Sequence, residues 1–210
     1  ATGAFNRRDP NDTRLLLFPT ARSLKAGAGR FGTYTVFPTV AVGVTNNIDV
    51  SLGSSLPVDG YLITNLNLKV TPIRSERLNV AVGGSALVPI GEGTDGVGGT
   101  FYGVVTVGTS EQAFTVGGVG VYATNFEEAE VGDGGALVLG FEKQVSNNVK
   151  LLTENYLVFS SELNGALLSA GVRFFGDQLS ADIAPVLIIS DEDVTFLPIP
   201  YFSFSYSFGR

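Results

Sequence analysis

Apolar and polar residues alternate with a period of two along almost the whole chain, and helical spacing is missing throughout. The pattern predicts twelve strands. They run Arg14–Pro19, Thr33–Thr45, Ile48–Ser55, Tyr61–Ile73, Leu78–Ile90, Thr100–Thr109, Ala113–Thr124, Gly135–Gln144, Val149–Phe159, Gly165–Gly176, Leu179–Ile189 and Thr195–Phe208. Most have about 9–13 residues, the length a tilted strand needs to cross a bilayer core. Their faces differ in kind. In the last strand Phe202, Phe204, Tyr206 and Phe208 oppose Ser203, Ser205 and Ser207. In the fourth, Leu62, Leu66, Leu68 and Val70 oppose Asn65, Asn67 and Lys69. In the second, Tyr34, Val36, Val40, Val42 and Val44 oppose Thr35, Thr39, Ala41 and Gly43.

The connections alternate in length. Short turns fall at Asn46-Asn47, Arg74–Arg77, Ser110–Gln112, Ser146–Asn148 and Asp177-Gln178. Longer loops fall at Thr20–Gly32, Leu56–Gly60, Gly91–Gly99, Asn125–Gly134, Ser160–Asn164 and Ser190–Val194. Asn and Asp suit the tight turns because they tolerate positive φ. Pro38, Pro185, Pro198 and Pro200 lie inside predicted strands and mark bulges or strand ends, since proline cannot donate to a ladder.

Composition decides which all-β architecture this is. Charged residues are 16% of the chain, against a usual share of roughly 25%. There are 27 Gly, and Cys, His, Met and Trp are absent. A soluble β-sandwich would carry Lys and Glu on its outer face; here the non-apolar face is Gly, Ala, Ser, Thr and Asn, which suits a lumen. No apolar run approaches the 18 or so residues of a spanning helix. The remaining membrane solution is a closed barrel, all-β, antiparallel and up-and-down, with about 12 strands. A β-sandwich that builds an extracellular assembly is the soluble alternative.

Aromatic residues gather near strand ends. Tyr34, Tyr61, Phe101, Tyr102, Tyr122, Phe126, Phe159 and Phe196 mark the long-loop side; Phe114, Phe141, Phe174, Phe204, Tyr206 and Phe208 mark the other. Two such levels are the girdles expected at the two membrane interfaces. The chain ends Tyr201-Phe-Ser-Phe-Ser-Tyr-Ser-Phe208, followed by Gly209 and Arg210. With these features it resembles bacterial outer-membrane β-barrel proteins, and the alternating aromatic end resembles their C-terminal assembly signal. The resemblance extends to small porin-like and uncharacterised barrels of Bacteroidetes type. It implies short periplasmic turns, longer extracellular loops, an outer-membrane location in a Gram-negative envelope, and export with the signal peptide removed. The bilayer and lipopolysaccharide become the expected partners, with other envelope proteins or further copies of the chain beside them. The domain reading is an N-terminal periplasmic segment, 1–13, and a barrel, 14–210.

Charge sorts by side in this topology. The long loops hold Asp59, Glu92, Asp95, Glu127, Glu128, Glu130, Asp133, Glu162, Asp191, Glu192 and Asp193 against Arg22, Lys25 and Arg30. The net charge of −7 is therefore local to one rim. These carboxylates read either as solvated loops or as an acidic vestibule favouring cations. Glu127, Glu128, Glu130 and Asp133, or Asp191, Glu192 and Asp193, offer hard oxygen ligands for a divalent cation or a loop contact, without EF-hand spacing. Inside, a lumen charge network of Asp49, Lys69, Glu142, Glu154, Arg173 and Asp182 is expected. The turn at Asp177-Gln178 places Arg173 opposite Asp182, as a structural ion pair or as a selectivity element, and turns Phe174 and Ala181 to lipid.

Chemistry is mostly excluded. Without His or Cys, the Ser-His-Asp and Cys-His nucleophiles and nearly all zinc, haem and iron–sulfur sites are gone. No cofactor is expected and no enzyme activity. The acidic balance argues against nucleic acid. Gly91-Glu-Gly93-Thr-Asp-Gly96 matches GxGxxG, yet a strand follows it where a dinucleotide site needs a helix. Asn11-Asp-Thr13 is a chance glycosylation match, and the paired loop acids lack the fixed separation of glycosidase carboxylates. Two functions remain. One is a passive channel or porin-like pore for ions or small polar solutes, its lumen open or filled by Ala1–Thr13 and Thr20–Gly32. The other is a non-conducting accessory barrel that anchors or docks an envelope assembly.

Overall fold

Burial alternates strictly along the final strand. Tyr201, Ser203, Ser205 and Ser207 are buried, while Phe202, Phe204, Tyr206 and Phe208 are exposed. This two-sided pattern continues around the molecule in the computed structural model. It describes residues 5–35, 37–57, 61–91, 96–124, 129–161, 164–190, 194–196 and 200–209.

Fourteen strand segments form one sheet: β1 (Gly29–Tyr34), β2 (Phe37–Gly43), β3 (Ile48–Ser54), β4 (Leu62–Arg74), β5 (Leu78–Ile90), β6 (Val97–Gly108), β7 (Gln112–Thr124), β8 (Ala129–Gln144), β9 (Val149–Phe159), β10 (Gly165–Phe175), β11 (Leu179–Ala184), β12 (Val186–Ser190), β13 (Val194–Phe196) and β14 (Tyr201–Phe208). Every pairing is antiparallel. The chain runs up and down in sequence order, and β14 pairs back onto β1, closing the sheet. Consecutive segments β11 and β12 both pair with β10 and share one stave; β13 and β14 share the next. The result is a closed barrel of twelve staves. Pairing β14 back onto β1 removes the free edges that an open sheet would leave, the requirement for backbone within lipid.

Pro185 falls between β11 and β12. The register is unchanged across it: Val172 pairs with Ile183 and Ser169 with Val186, so the proline interrupts the ladder without shifting it. The outer surface is a belt of half-exposed apolar side chains, among them Leu66, Leu68, Val82, Phe101, Phe114, Leu157, Phe159 and Phe174. A soluble surface rarely carries a continuous band of this size.

Two expectations fail together at the N-terminus. Arg14–Pro19 is not a stave but a tight reversal inside the lumen, where Arg14 and Pro19 form an isolated bridge and the Leu15 N–H bonds the Phe18 carbonyl. Thr33–Thr45 is not one strand but the hairpin β1–β2. Tyr34 pairs with Phe37, and Thr35 takes a left-handed φ of 56° in the turn. Reversing there moves Tyr34 from the apolar face to the lumen, whereas Val40, Val42 and Val44 face outward as expected. The two errors cancel in the count of twelve.

The expected loop Thr20–Gly32 is likewise displaced. Gly29–Gly32 belong to β1, and residues 20–28 descend through the lumen to the short-turn end, where the Ala26 N–H bonds Asn46. Arg22, Lys25 and Arg30 therefore leave the long-loop rim, because the first two travel with the segment and the third is on the wall. At the β7–β8 hairpin the strand starts at Ala129, past a register shift beside Val121, so the expected loop 125–134 shrinks.

Candidate functional site

The lumen holds the described part of residues 5–28. This segment enters at the short-turn end, where Asn6 donates its N–H to Asn147 and Arg7 pairs with Asp177. It climbs to the reversal at Leu15–Phe18 and returns to Ala26 beside Asn46. Both of its ends thus lie at one mouth of the barrel.

All six residues expected in the lumen network are buried there: Asp49, Lys69, Glu142, Glu154, Arg173 and Asp182. Register brings Arg173 opposite Asp182, and the guanidinium binds that carboxylate through Nε at 2.7 Å and Nη2 at 3.0 Å. Phe174, on the other face, is 53% exposed. Lys69 meets Asp49 at 3.0 Å. The pairs do not stand alone, however; each also holds the segment.

Arg173 donates to the carbonyls of Asn11 and Leu15 and to Asp9 at 2.9 Å. Lys150, directly across the ladder from Arg173, meets the same Asp9 carboxylate at 2.7 Å. Two cations facing each other on one wall would repel; the carboxylate delivered between them turns repulsion into a clamp. Glu142 accepts from Arg22 at 2.5 Å. Lys69 donates to the carbonyls of Arg22 and Thr20, and the Asp49 carboxylate accepts the Leu24 N–H. Glu154 takes the backbone N–H groups of Leu16, Leu17 and Phe18 at the reversal, and the Tyr156 hydroxyl at 2.7 Å. That set neutralises a carboxylate without a contacting cation, through charge-assisted hydrogen bonds.

Asp9 and Asp12 are fully buried on the segment. Burial pushes the Asp9 carboxyl up, but Arg173 and Lys150 outweigh it and hold it well below the ordinary aspartate range. For Asp12 burial is likewise opposed, by Arg8 and Arg22, and the net direction is also down.

Apolar packing completes the seat. Phe18 sits among Ala21, Ala81, Tyr102, Val104 and Val138, with edge-on ring contacts to Tyr102 and Tyr156. Leu16 packs with Leu152, Ala184 and Tyr201. Gly140 and Gly117 admit this packing. A Cβ on Gly140 would collide with the Leu15 side chain, and one on Gly117 with the Phe18 ring at 2.5 Å. Tyr102 is thus a lumen residue and not, as expected, part of the girdle. Side chains of Phe126 and Phe196 lie outside the described residues.

The path past Glu154, Arg173 and Asp182 is occupied by the segment. On the β1–β5 side a cavity of about 350 Å³ is left. Its floor is Thr13, Arg14, Leu17 and Leu24; its wall carries Arg30, Tyr34, Asp49, Asn65, Asn67, Lys69 and Tyr102. It reaches the strand ends away from the short turns, at Phe37, Ser54 and Ile63.

The acidic loop residues mostly fall elsewhere. Glu127, Glu128, Asp191, Glu192 and Asp193, like Asp59, Glu92, Asp95 and Glu162, lie outside the described residues. Glu130 is exposed on β8, and Asp133 accepts hydrogen bonds from the Ser161 hydroxyl and N–H. Among the described residues no group of three potential metal-ligating side chains forms. Sequence reasoning missed Asp9, Asp12, Arg14, Arg22, Arg30 and Lys150 as lumen charges. For Lys150 a signal existed, because it shares the parity of Glu154 on β9.

A closed antiparallel barrel, apolar outside and polar with buried charge inside, is the fold of a bacterial outer-membrane porin-like barrel. Solved structures agree. A KdgM porin matches with a TM-score of 0.60, covering 87% of this chain and 98% of that one at 6% identity. The same figures hold for a structure described as KdgM porin in complex with disordered oligogalacturonate. A NanC porin matches with a TM-score of 0.58, covering 86% and 97% at 8% identity. No protein-family model matches the chain, and no curated protein matches it in sequence.

Proposed function

We propose that this protein is an outer-membrane channel for ions or small polar solutes, exported with its signal peptide removed and throttled by its own N-terminal segment. The carrying observation is the lumen itself: a twelve-stave barrel whose interior is filled by a non-covalently seated segment next to a polar cavity. Twelve staves enclose more space than the eight-stranded barrels that side chains alone can fill. The outer apolar belt fits a bilayer, with lipopolysaccharide as the outer-leaflet partner. The structural neighbours are porins and not enzymes; the chain is read accordingly as a non-enzyme.

Planar-bilayer recording of the purified protein tests this, with Glu154→Gln alongside. Replacing the carboxylate weakens its grip on three backbone N–H groups at the reversal and should loosen the segment. Small conductance steps are expected from the native protein and larger ones from Glu154→Gln. Absence of steps above the lipid baseline from both overturns the channel.

The second reading, a non-conducting accessory barrel, is favoured by one observation. Leu15, Leu16 and Phe18 pack against the wall as a core would, so the filling is partly dry. It predicts a stoichiometric partner, or a defined oligomer, on native purification.

A further inference from the structure

The short-turn end of the barrel holds a further, smaller cavity, of about 130 Å³. Three cations line it, Arg8, Lys25 and Arg74, with Asp12 beside them. They come from three separate parts of the chain. Arg8 lies on the arm of the segment that enters the lumen, Lys25 on the arm that returns, and Arg74 at the end of β4. Arg74 pairs across the ladder with the buried Asn79, so it stands on the lumen side of the wall and not on the lipid side. Asn46 draws two of the three together. Its carbonyl accepts from Arg74 and Ser23, and its side chain accepts the N–H of Ala26, the residue after Lys25.

These cations are accessible and only partly answered. Arg8 gives Nε and Nη2 to Asp12 at 3.0 and 2.8 Å. The side chains of that pair are 64% and 8% exposed, so the acid lies behind and the guanidinium in front. Arg74 gives one N–H to a neutral carbonyl and meets no carboxylate among the described residues. Lys25 Nζ meets no acceptor there, and Glu76, in the same turn as Arg74, forms no ion pair. With Arg8 offset by Asp12, folding gathers two unanswered cations around a space for one small ion.

We infer that this cavity binds phosphate, as the inorganic dianion or a soluble phosphomonoester, and that the bound anion fastens the segment to the wall. Its volume lies below the roughly 300–1,000 Å³ of pockets for whole small molecules and suits a single compact group. A phosphoryl group carries about −1.5 to −2 charge at pH 7 and accepts through three oxygens. That matches two unanswered cations and donors converging from three directions; a carboxylate, planar and singly charged, suits one guanidinium fork. The lumen side of the wall favours a soluble phosphate over a lipid headgroup. Because Arg8 and Lys25 belong to the two arms and Arg74 to the barrel, one anion ties all three. A ligand that binds only the seated segment shifts the seated-to-released equilibrium by 1 + [L]/Kd, about elevenfold at ten times Kd. The inference goes beyond the channel reading: binding and fastening need only the seated segment, whereas an effect on conductance needs the channel as well.

Calorimetry on the full chain in phosphatidylcholine nanodiscs tests binding, with inorganic phosphate as the probe and acetate at matched ionic strength beside it. One phosphate per chain is expected, at least tenfold tighter than acetate. Lys25→Gln and Arg74→Gln should each weaken phosphate about tenfold. Arg77→Gln, an exposed cation of the same turn that does not line the cavity, should leave it unchanged. Amide hydrogen exchange in residues 9–24 should slow about tenfold at phosphate ten times its Kd, and no more than about twofold in either variant at that concentration. Absence of phosphate binding, equal binding of acetate, or undiminished affinity in both variants overturns the site. Binding without slower exchange overturns the fastening. Adding phosphatidylglycerol to the nanodiscs separates the sources: unchanged phosphate affinity upholds the soluble ligand, and loss of affinity to the competing headgroup overturns it. Binding and slower exchange in a protein without bilayer conductance leave the site standing and remove the channel. Conductance without phosphate binding does the reverse.

Discussion

The two sides of the lumen use the same residue types to different effect. Along β8 to β11, Glu142, Lys150, Glu154 and Arg173 hold the N-terminal segment and Asp182 holds Arg173, with every charge answered at contact distance by a charge or by a set of hydrogen bonds. Along β1 to β5 the wall also grips the segment, through Asp49, Lys69 and Arg30, yet it leaves a cavity beside it, bordered by Arg14 and Arg30. One side is a seat alone and the other a seat with a vestibule. Buried charge alone therefore does not tell the filled side from the open one; what tells them apart is whether the wall beside the charges is covered by the segment.

Removing the centre of the seat should do the most damage. Arg173→Ala takes from Asp182 its bidentate partner, leaves Asp9 with Lys150 alone of its two cations, and frees the carbonyls of Asn11 and Leu15. Breaking a buried ion pair from one side costs about 3–5 kcal/mol. The chain has no cysteine, so a spin label at Asn6→Cys reports on the segment without background. In Arg173→Ala the label should become mobile, with the melting temperature of the barrel lowered. An immobile label would mean that the vestibule side carries the segment.

Packing ranks next. Gly140→Val pushes into Leu15, and overpacking of this kind costs about 1–3 kcal/mol. Gly118→Val is the matched control, since a Cβ there meets nothing within 4 Å. The first should mobilise the label and raise bilayer conductance; the second should change neither.

Much of this was legible before any coordinates. Period-two alternation and alternating turn lengths located ten of the staves, and the parity of β10 and β11 placed Arg173 against Asp182. The N-terminus was not legible, for a physical reason. A segment packed inside a barrel is half apolar and half hydrogen-bonded, and Leu15-Leu16-Leu17-Phe18 reads like a short strand when only local pattern is weighed. The clue lay on the wall. Leu152, Val138 and Val104 sit at lumen parity yet are apolar and buried, and Lys150 faces Arg173 across the ladder. An apolar patch and a like-charged pair inside a polar lumen both call for an occupant with leucines, a phenylalanine and a carboxylate, which residues 9–18 provide.

Acid should act on the seat more weakly and only late. Asp9 and Asp12 have pKa values lowered from the ordinary 3.8, so the stability they contribute is complete above that value. It is lost as protons are taken up below it, where the unfolded state binds protons first. The Asn6→Cys label should therefore keep constant mobility from pH 8 to about 5 and loosen only below about 4. Release centred near pH 6 would place control of the segment in groups other than these two aspartates.

The smallest effect is expected where the segment leaves the lumen. Arg7 and Asp177 form an ion pair at 2.7 Å, but their side chains are 37% and 80% exposed. A pair in that setting contributes about 0–1 kcal/mol, since water screens it and two long side chains lose freedom to form it. Asp177→Asn isolates the charge, because asparagine suits the same tight turn after β10. The segment's bound-to-free equilibrium should change by no more than about fivefold, and added salt should reproduce the change in the native protein. If Asp177→Asn instead freed the label as fully as Arg173→Ala, the segment would be fastened at the mouth and not at the seat. The contrast between the two sides of the lumen would then describe packing alone.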